Sequence, residues 1–362
     1  MIVIEKGTKT VLSARFHLAN NICAYLYDQI TEILDAPEYE MMANTDIDFN
    51  DDPELRAIFE RQDSHPLDIL QQFERNAELE VVVTKHLVMS MLADMVNFIY
   101  ESIIIAQKGK MSVAYSLIRK PFKDQLCLLE QILVDREEFF QRFFHHGDSS
   151  AYDPSAPSLD KRELIKKASA KINLLAPDAD FMYDIRYDRS IHWGLSVLSD
   201  KAIHIVTSNK NYKTPNQDMN FLFVAPEEVE NLQEHYYFAM PQLMIYTTAV
   251  IDDIVFGLMP HKRGLRLEKK LKRFLGQIML MDHPGGVESK KVYRFLSAQM
   301  KSSCPICAHR NRYTKRDFIG YFFEHVLYCK KCFNTVPLSE ELQDFLADFF
   351  HKSPEAKVND AE

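Results

Sequence analysis

Glycine is scarce in this chain. Ten glycines in 362 residues is under half the usual share of about 7%. No two of them form G-x-G, and Gly264 and Gly276 are followed by Leu265 and Gln277 rather than by Lys and Ser or Thr. A glycine-rich phosphate cradle of the dinucleotide-fold or P-loop type is therefore excluded, and any phosphate bound here has to be held by side chains. An apolar leader is also lacking: Glu5 and Lys6 interrupt the first residues, so the reading is cytoplasmic. Long uninterrupted apolar runs are absent as well. The richest stretch, Phe238 to Pro260, carries Asp252, Asp253, Pro241 and Gln242; it reads as a buried helix, and no membrane partner is expected. Only six cysteines occur, and four of them form two C-x-x-C pairs. That is metal-site usage in a reducing compartment, not a disulfide framework.

The net charge of −9 conceals an uneven distribution. From Glu32 to Glu80 there are 15 acids and 3 bases, a net of −12; from Lys262 to Pro337 there are 17 bases and 5 acids, a net of +12. Two readings follow. The basic part engages an anionic partner, or the two segments neutralise each other within one fold or between subunits.

Scarce glycine with abundant Leu, Phe, Met and Glu predicts helices. Leu12, Phe16, Ala19, Cys23, Leu26, Ile30 and Ile33 recur at three- and four-residue steps over 11–34, the period of an amphipathic helix. An acidic, proline-broken stretch follows to Pro66. Its Asp46-Ile47-Asp48 opening resembles a calcium loop but has Asp51 where Gly is needed and Ala57 where Glu is needed, so it reads as a solvated loop. Long helices are predicted over 67–106 and over 111–144, the second kinked at Pro121. His145 and His146 sit at its end, suited to a helix C-terminus rather than to chelation. Ser158 reads as the cap of a helix to Leu175. Ala202–Thr207 and Phe221–Val224 read as a small hairpin. Pro226 opens a further long helix to about Met259.

Between these elements, Asp184-Ile185-Arg186-Tyr187-Asp188-Arg189-Ser190-Ile191-His192-Trp193 gathers two Arg, two Asp, a His and the only Trp. Arg186, five residues and then His192 resembles the motif of the HEPN superfamily of helical bundles, and Ala114 to Asp124 resembles the central helix of prokaryotic relatives. The resemblance covers about residues 10 to 260. It implies a homodimer, a prokaryotic stress or antiviral setting, and metal-independent RNA cleavage at the dimer interface. His192 would then move a proton, and Arg186 would stabilise charge on the phosphate. Where the family has a polar residue after the Arg, this chain has Tyr187. The alternative from the residues themselves is that Arg186 and Arg189 pair with acids while His192 and Trp193 pack.

Cys304-Pro305-Ile306-Cys307 and Cys329-Lys330-Lys331-Cys332 form C-x2-C-x21-C-x2-C, the pattern of a structural zinc site. The segment resembles a zinc ribbon, with a short helix expected through Phe322 to Leu327. His309 and His325 are not needed as ligands. Positive charge beside aromatics suits phosphate contact and base stacking. Candidate nucleic-acid contacts are therefore Arg266, Lys269, Lys270 and Arg273 on a basic helix, and Arg310, Arg312, Lys315, Arg316, Lys330 and Lys331 around the cysteines. Ser339 caps a last amphipathic helix, and 353–362 reads as a disordered tail.

The expected architecture is mainly α: a multi-helix bundle with a small β-hairpin, plus a small four-cysteine zinc-ribbon module. The divisions are 1–260 (HEPN-like body), 261–300 (basic connector), 301–338 (ribbon) and 339–362 (last helix and tail). The expected function is engagement of nucleic acid, RNA in particular. The alternative is a non-enzymatic adaptor whose ribbon and acidic N-terminal region bind protein partners.

Overall fold

The computed structural model describes residues 2–49, 52–61, 64–174, 177–208, 213–220, 226–281 and 287–352. Helix α1 (His17–Asp35) follows a 3-10 turn and buries Ile22, Cys23, Leu26, Ile30 and Ile33, the face its periodicity predicts. The acidic stretch contains two short helices, α2 (Glu40–Ala43) and α3 (Pro53–Arg61), around an irregular segment.

The helix expected over 67–106 is two helices, α4 (Pro66–Gln72) and α5 (Asn76–Gln107). Glu74 adopts φ +52° between them, and the Arg75 N–H donates to the Leu70 carbonyl at 2.8 Å. This is a helix stop usually built with glycine; here the Arg75 side chain, bonded to Glu78 and to the Asp48 carbonyl, fixes it. By length and composition α5 is apolar enough to cross a membrane; it packs on α1 and on α6 (Met111–Arg119).

The bend expected at Pro121 is a π-helical segment, Lys120–Gln125, leading into α7 (Leu126–Val134). Proline has no N–H for the regular ladder, so the turn widens. Asp135 ends α7 and caps α8 (Arg136–Phe140), accepting from the Glu138 N–H at 2.9 Å. A second π-helical segment, Gln141–His146, stops at Gly147 (φ +67°).

Helix α9 (Lys161–Ile172) is capped by Asp160, not Ser158, through the Glu163 N–H at 3.0 Å. Helices α10 (Ala179–Tyr187) and α11 (Leu195–Ile203) follow. The hairpin expected at Ala202–Thr207 does not form there. Ala202 and Ile203 end α11, and 204–207 is irregular, held by the Asn220 N–H on the Ile205 carbonyl at 2.7 Å. Its second half, Phe221–Val224, lies outside the described residues. Helix α12 (Pro226–Leu258) is interior, with Leu243, Ile245, Val250, Ile251 and Val255 buried, as expected of the Phe238 to Pro260 stretch.

The last third consists of α13 (Arg263–Met281), α14 (Val287–Gln299), β1 (Lys301–Ser303), β2 (Arg310–Arg312), α15 (Lys315–Glu324), β3 (Leu327–Tyr328), β4 (Thr335–Val336) and α16 (Glu340–His351). The β elements are two antiparallel pairs, β1 with β2 and β3 with β4. Ser339 caps α16, accepting from the Leu342 N–H at 3.3 Å. The expected tail, 353–362, lies outside the described residues. Apolar packing is continuous from the bundle into this third, through Leu26, Val250, Leu275, Phe322 and Leu346. Helix α13 is the bridge. At Gly276 a Cβ would stand 3.2 Å from the Phe322 ring and 3.4 Å from Ile245, so absence of a side chain there lets α12, α13 and α15 meet closely.

Candidate metal centre and cationic face

Each C-x-x-C pair sits at the tip of one hairpin. In the first, the Cys304 N–H donates to the His309 carbonyl (2.9 Å) and the Ala308 N–H to the Cys304 carbonyl (3.0 Å). In the second, the Cys329 N–H donates to the Asn334 carbonyl (2.8 Å) and the Phe333 N–H to the Cys329 carbonyl (3.0 Å). Ala308 and Phe333, each just after the second cysteine, both take positive φ, +55° and +58°. The chain thus makes the same tight turn twice, aiming four thiols at one point. Asn311 joins the halves: buried, it accepts from the Lys330 N–H at 2.9 Å. Helix α15, between the hairpins, carries a Thr314/Asp317 capping box; it starts earlier than the helix expected at 322–327 and shares only 322–324 with it, Leu327 being in β3.

Cys304 and Cys332 are 3.5 Å apart at sulfur, Cys307 and Cys329 3.7 Å, and all four sulfurs lie within 4.8 Å of one another. A tetrahedral ion with metal–sulfur bonds of ~2.3 Å needs sulfurs ~3.8 Å apart. The donor set therefore fits a metal ion that prefers thiolates. Backbone N–H groups of Ile306 and Lys331 reach Cys304 and Cys329 sulfur at 3.4 Å each, which favours thiolates at those positions. Contact with Asn334 lowers the Cys332 thiol to about 6. Four protein donors fill a tetrahedron, so the centre has no open position for a substrate. His309 is not among these donors, and His325 bonds the Tyr25 hydroxyl at 2.9 Å.

The basic residues divide into two groups. On α13, Lys269 is buried and pairs with Glu32 at 2.6 Å. Arg273 is buried and pairs with Asp252 at 2.8 Å, and Arg266 pairs with Asp253 at 3.0 Å. Lys270 is half-buried beside Asn173 and Phe350. Arg266, Lys269 and Arg273, expected to present charge to nucleic acid, each meet an acid of the bundle, one of them from the acidic N-terminal region, and only the Arg266 side chain, 41% exposed, still reaches solvent. The second group points outward. Arg310, Arg312, Lys315, Arg316, Lys330 and Lys331 are exposed. Of these, Lys330 pairs with Asp317, and Lys315 lies 5.5 Å from the Tyr293 ring centre.

Composition alone did not single out Lys290, Lys291, Arg294 and Lys301, all exposed. On β1 and β2, Lys301 stands opposite Arg312 and Ser303 opposite Arg310, so the three cations share one face. Arg312 donates to Ser297 of α14 at 3.3 Å, one turn from Arg294, which is itself one turn from Lys290. The result is a cationic ridge from α14 across the first hairpin. Its sequence signal is 289–316, with eight bases and no acid. On the second hairpin, Phe333 is 76% exposed and Tyr328 44% exposed.

Arg186 and His192 lie in different settings, the first buried and the second exposed. Arg186 is fully buried: its guanidinium holds both Glu130 oxygens (2.5 and 3.0 Å), Nε donates to the Phe122 carbonyl (2.8 Å), and one nitrogen reaches the Tyr187 hydroxyl (3.0 Å). Tyr246 donates to Glu130 at 2.8 Å. Burial works against the Arg186 charge, and Glu130 more than offsets it, raising its pKa. His192 lies on an exposed turn between α10 and α11. The overlooked signal was Glu130, the sole acid in the apolar run 126–134. No family model matches this chain, and neither any curated protein nor any solved structure does.

Proposed function

We propose that the protein binds single-stranded RNA on the outward face of a four-cysteine module held by zinc. The carrying observation is the ridge formed by Lys290, Lys291, Arg294, Lys301, Arg310 and Arg312, from a 28-residue stretch without an acid. Phosphates are drawn by such a surface, and bases stack on exposed rings; Phe333 and Tyr328 of the same four-cysteine module would supply them. Cys304, Cys307, Cys329 and Cys332 would hold the zinc, whose contribution is structural: it locks the two hairpins and fixes the ridge. A zinc tetrathiolate carries about −2, which leaves the face cationic.

The HEPN-like character of the bundle belongs to the same proposal, supported by the order of α6, α10, the His192 turn and α12. Cleavage through Arg186 and His192 does not, because the Arg186 guanidinium is spent on Glu130 inside the bundle.

The test is fluorescence anisotropy of a labelled mixed-sequence RNA oligomer across a salt series. For single strands the slope of log K against log salt is about −0.7 per phosphate contact, so four to five contacts give a slope of about −3. The Arg310→Glu/Arg312→Glu protein should lose at least tenfold in affinity and flatten the slope by about 1.4. A salt-independent affinity, or one unchanged in this variant, overturns the proposal.

A further inference from the structure

The π-helical segment Lys120–Gln125 does more than turn the chain at Pro121. It is fixed from within by α10: Arg186 Nε donates to the Phe122 carbonyl at 2.8 Å, and the Tyr187 hydroxyl donates to the Lys123 carbonyl at 2.9 Å. Such segments are rare and gather at functional sites. This one sets Lys123 against Asp200 of α11, both buried. Arg119, the last residue of α6, reaches the same carboxylate.

These charges do not close on one another. Arg119 Nε and Lys123 Nζ approach the same Asp200 oxygen, at 3.5 and 3.8 Å, and Arg119 stands 3.6 Å from Asp124. Other buried pairs of the molecule close fully: Arg186 with Glu130 at 2.5 Å, Arg273 with Asp252 at 2.8 Å. At 3.8 Å the Lys123 ammonium is beyond hydrogen-bond reach of Asp200, and among the described residues it has no nearer acceptor. Its side chain keeps 10% exposure, so solvent reaches it. Burial draws the ammonium down to about 8, which leaves it charged at pH 7. Arg119, Arg189, Asp124 and Asp200 bear on it; with Lys123 itself that is three cations against two acids.

We infer that Arg119, Lys123 and Asp200 form a binding site for inorganic phosphate. Charged oxygens of the anion accept from the Lys123 ammonium and the Arg119 guanidinium, both held in place with donors to spare. Asp200 makes the site selective. A buried carboxylate only accepts, so it asks the ligand for a proton. Inorganic phosphate at pH 7 carries a P–OH that supplies one; sulfate has none and meets an uncompensated negative charge. The phosphodiesters of RNA have none either, so the inference is independent of the RNA reading, which concerns the four-cysteine module. The site is built from side chains alone, as the scarcity of glycine requires.

Isothermal titration calorimetry of the full-length protein with sodium phosphate and with sodium sulfate, at pH 7 and equal ionic strength, reads the site. Phosphate should bind at least tenfold tighter than sulfate. Lys123→Met should weaken phosphate at least tenfold. Arg119→Gln, at a side chain 37% exposed, should weaken it at least fivefold with an unchanged melting curve. Asp200→Asn, whose amide can donate to an oxyanion, should bring the two anions within twofold of each other. No binding of phosphate, equal binding of both anions by the parent, an affinity unchanged in Arg119→Gln, or a preference that survives Asp200→Asn overturns the inference.

Discussion

Replacing Glu130 by Gln is the sharpest test of the bundle interior. Glu130 accepts from two Arg186 nitrogens and from the Tyr246 hydroxyl, with both side chains of the ion pair fully buried. Gln keeps the volume but supplies one acceptor oxygen and an NH2 that confronts an Arg N–H. The guanidinium is left buried without its counter-charge, which costs about 3–5 kcal/mol. With an unfolding entropy of about 2 cal/mol/K per residue, a loss of 4 kcal/mol over this chain lowers Tm by ~5 °C. Calorimetry reads the shift, and urea melts give the free energy. Glu130→Met/Arg186→Met removes both charges and should cost less than the two single changes together, with a coupling of about 2 kcal/mol. His192→Ala, on the exposed turn, should stay within about 0.5 kcal/mol of the parent. A Glu130→Gln protein within about 1 kcal/mol of the parent, or additive Met substitutions, would refute the account of Arg186 as a structural charge.

Dialysis against excess chelator should release one zinc per chain by metal analysis and raise amide exchange across 301–338, and Cys304→Ser should lower the zinc content at purification. Lys269→Ala, which breaks the pair with Glu32, should lower Tm yet leave RNA affinity within twofold, whereas Arg310→Glu should do the reverse; anisotropy and melting curves on both proteins separate the two roles. Burial opposes the charge on Glu268, but His325 and Lys272 outweigh it and hold its carboxyl down to about 2. The unfolded chain therefore takes up this proton first on acidification. Stability should fall as pH drops from the ordinary carboxylate value near 4.5 toward 2, and Glu268→Gln should flatten that limb in urea melts. Asp160→Ala, which removes the α9 cap, should cost about 1 kcal/mol.

Period and spacing carried most of what was legible in the sequence. The apolar repeat of α1, the proline that opens α12, the serine cap of α16 and the four cysteines are local signals, and local geometry obeys them. What escaped reading depends on distant partners. Glu74 breaks a helix without being glycine because Arg75 next to it is tied to Glu78 and to the Asp48 carbonyl. Ala202 and Ile203 have a strand-like composition but lie on α11, which packs against α6. Arg186 stands among motif-like polar residues, yet its fate was decided by a carboxylate 56 positions earlier. The basic helix α13 posed the same difficulty. Its charge was countable, but only the fold could show that Lys269 and Arg273 turn inward to acids while the ridge on α14 and the first hairpin turns out.

The lysine at 269 and its carboxylate at 32 are 237 positions apart, and this has a consequence for biosynthesis. Helix α1 also gives Gln29 to Arg273 and Tyr25 to Phe322, so one side of an early-made helix is completed only by the last third of the chain. At about 5–20 residues per second on the ribosome, Glu32 waits roughly 12–50 s for its counter-ion. During that interval the face of α1 that carries Tyr25, Gln29 and Glu32 lacks its partners from the last third. The cysteine hairpins, at 301–303, 310–312, 327–328 and 335–336, are made later still, so the cover they and α15 give to α1 is the last to arrive.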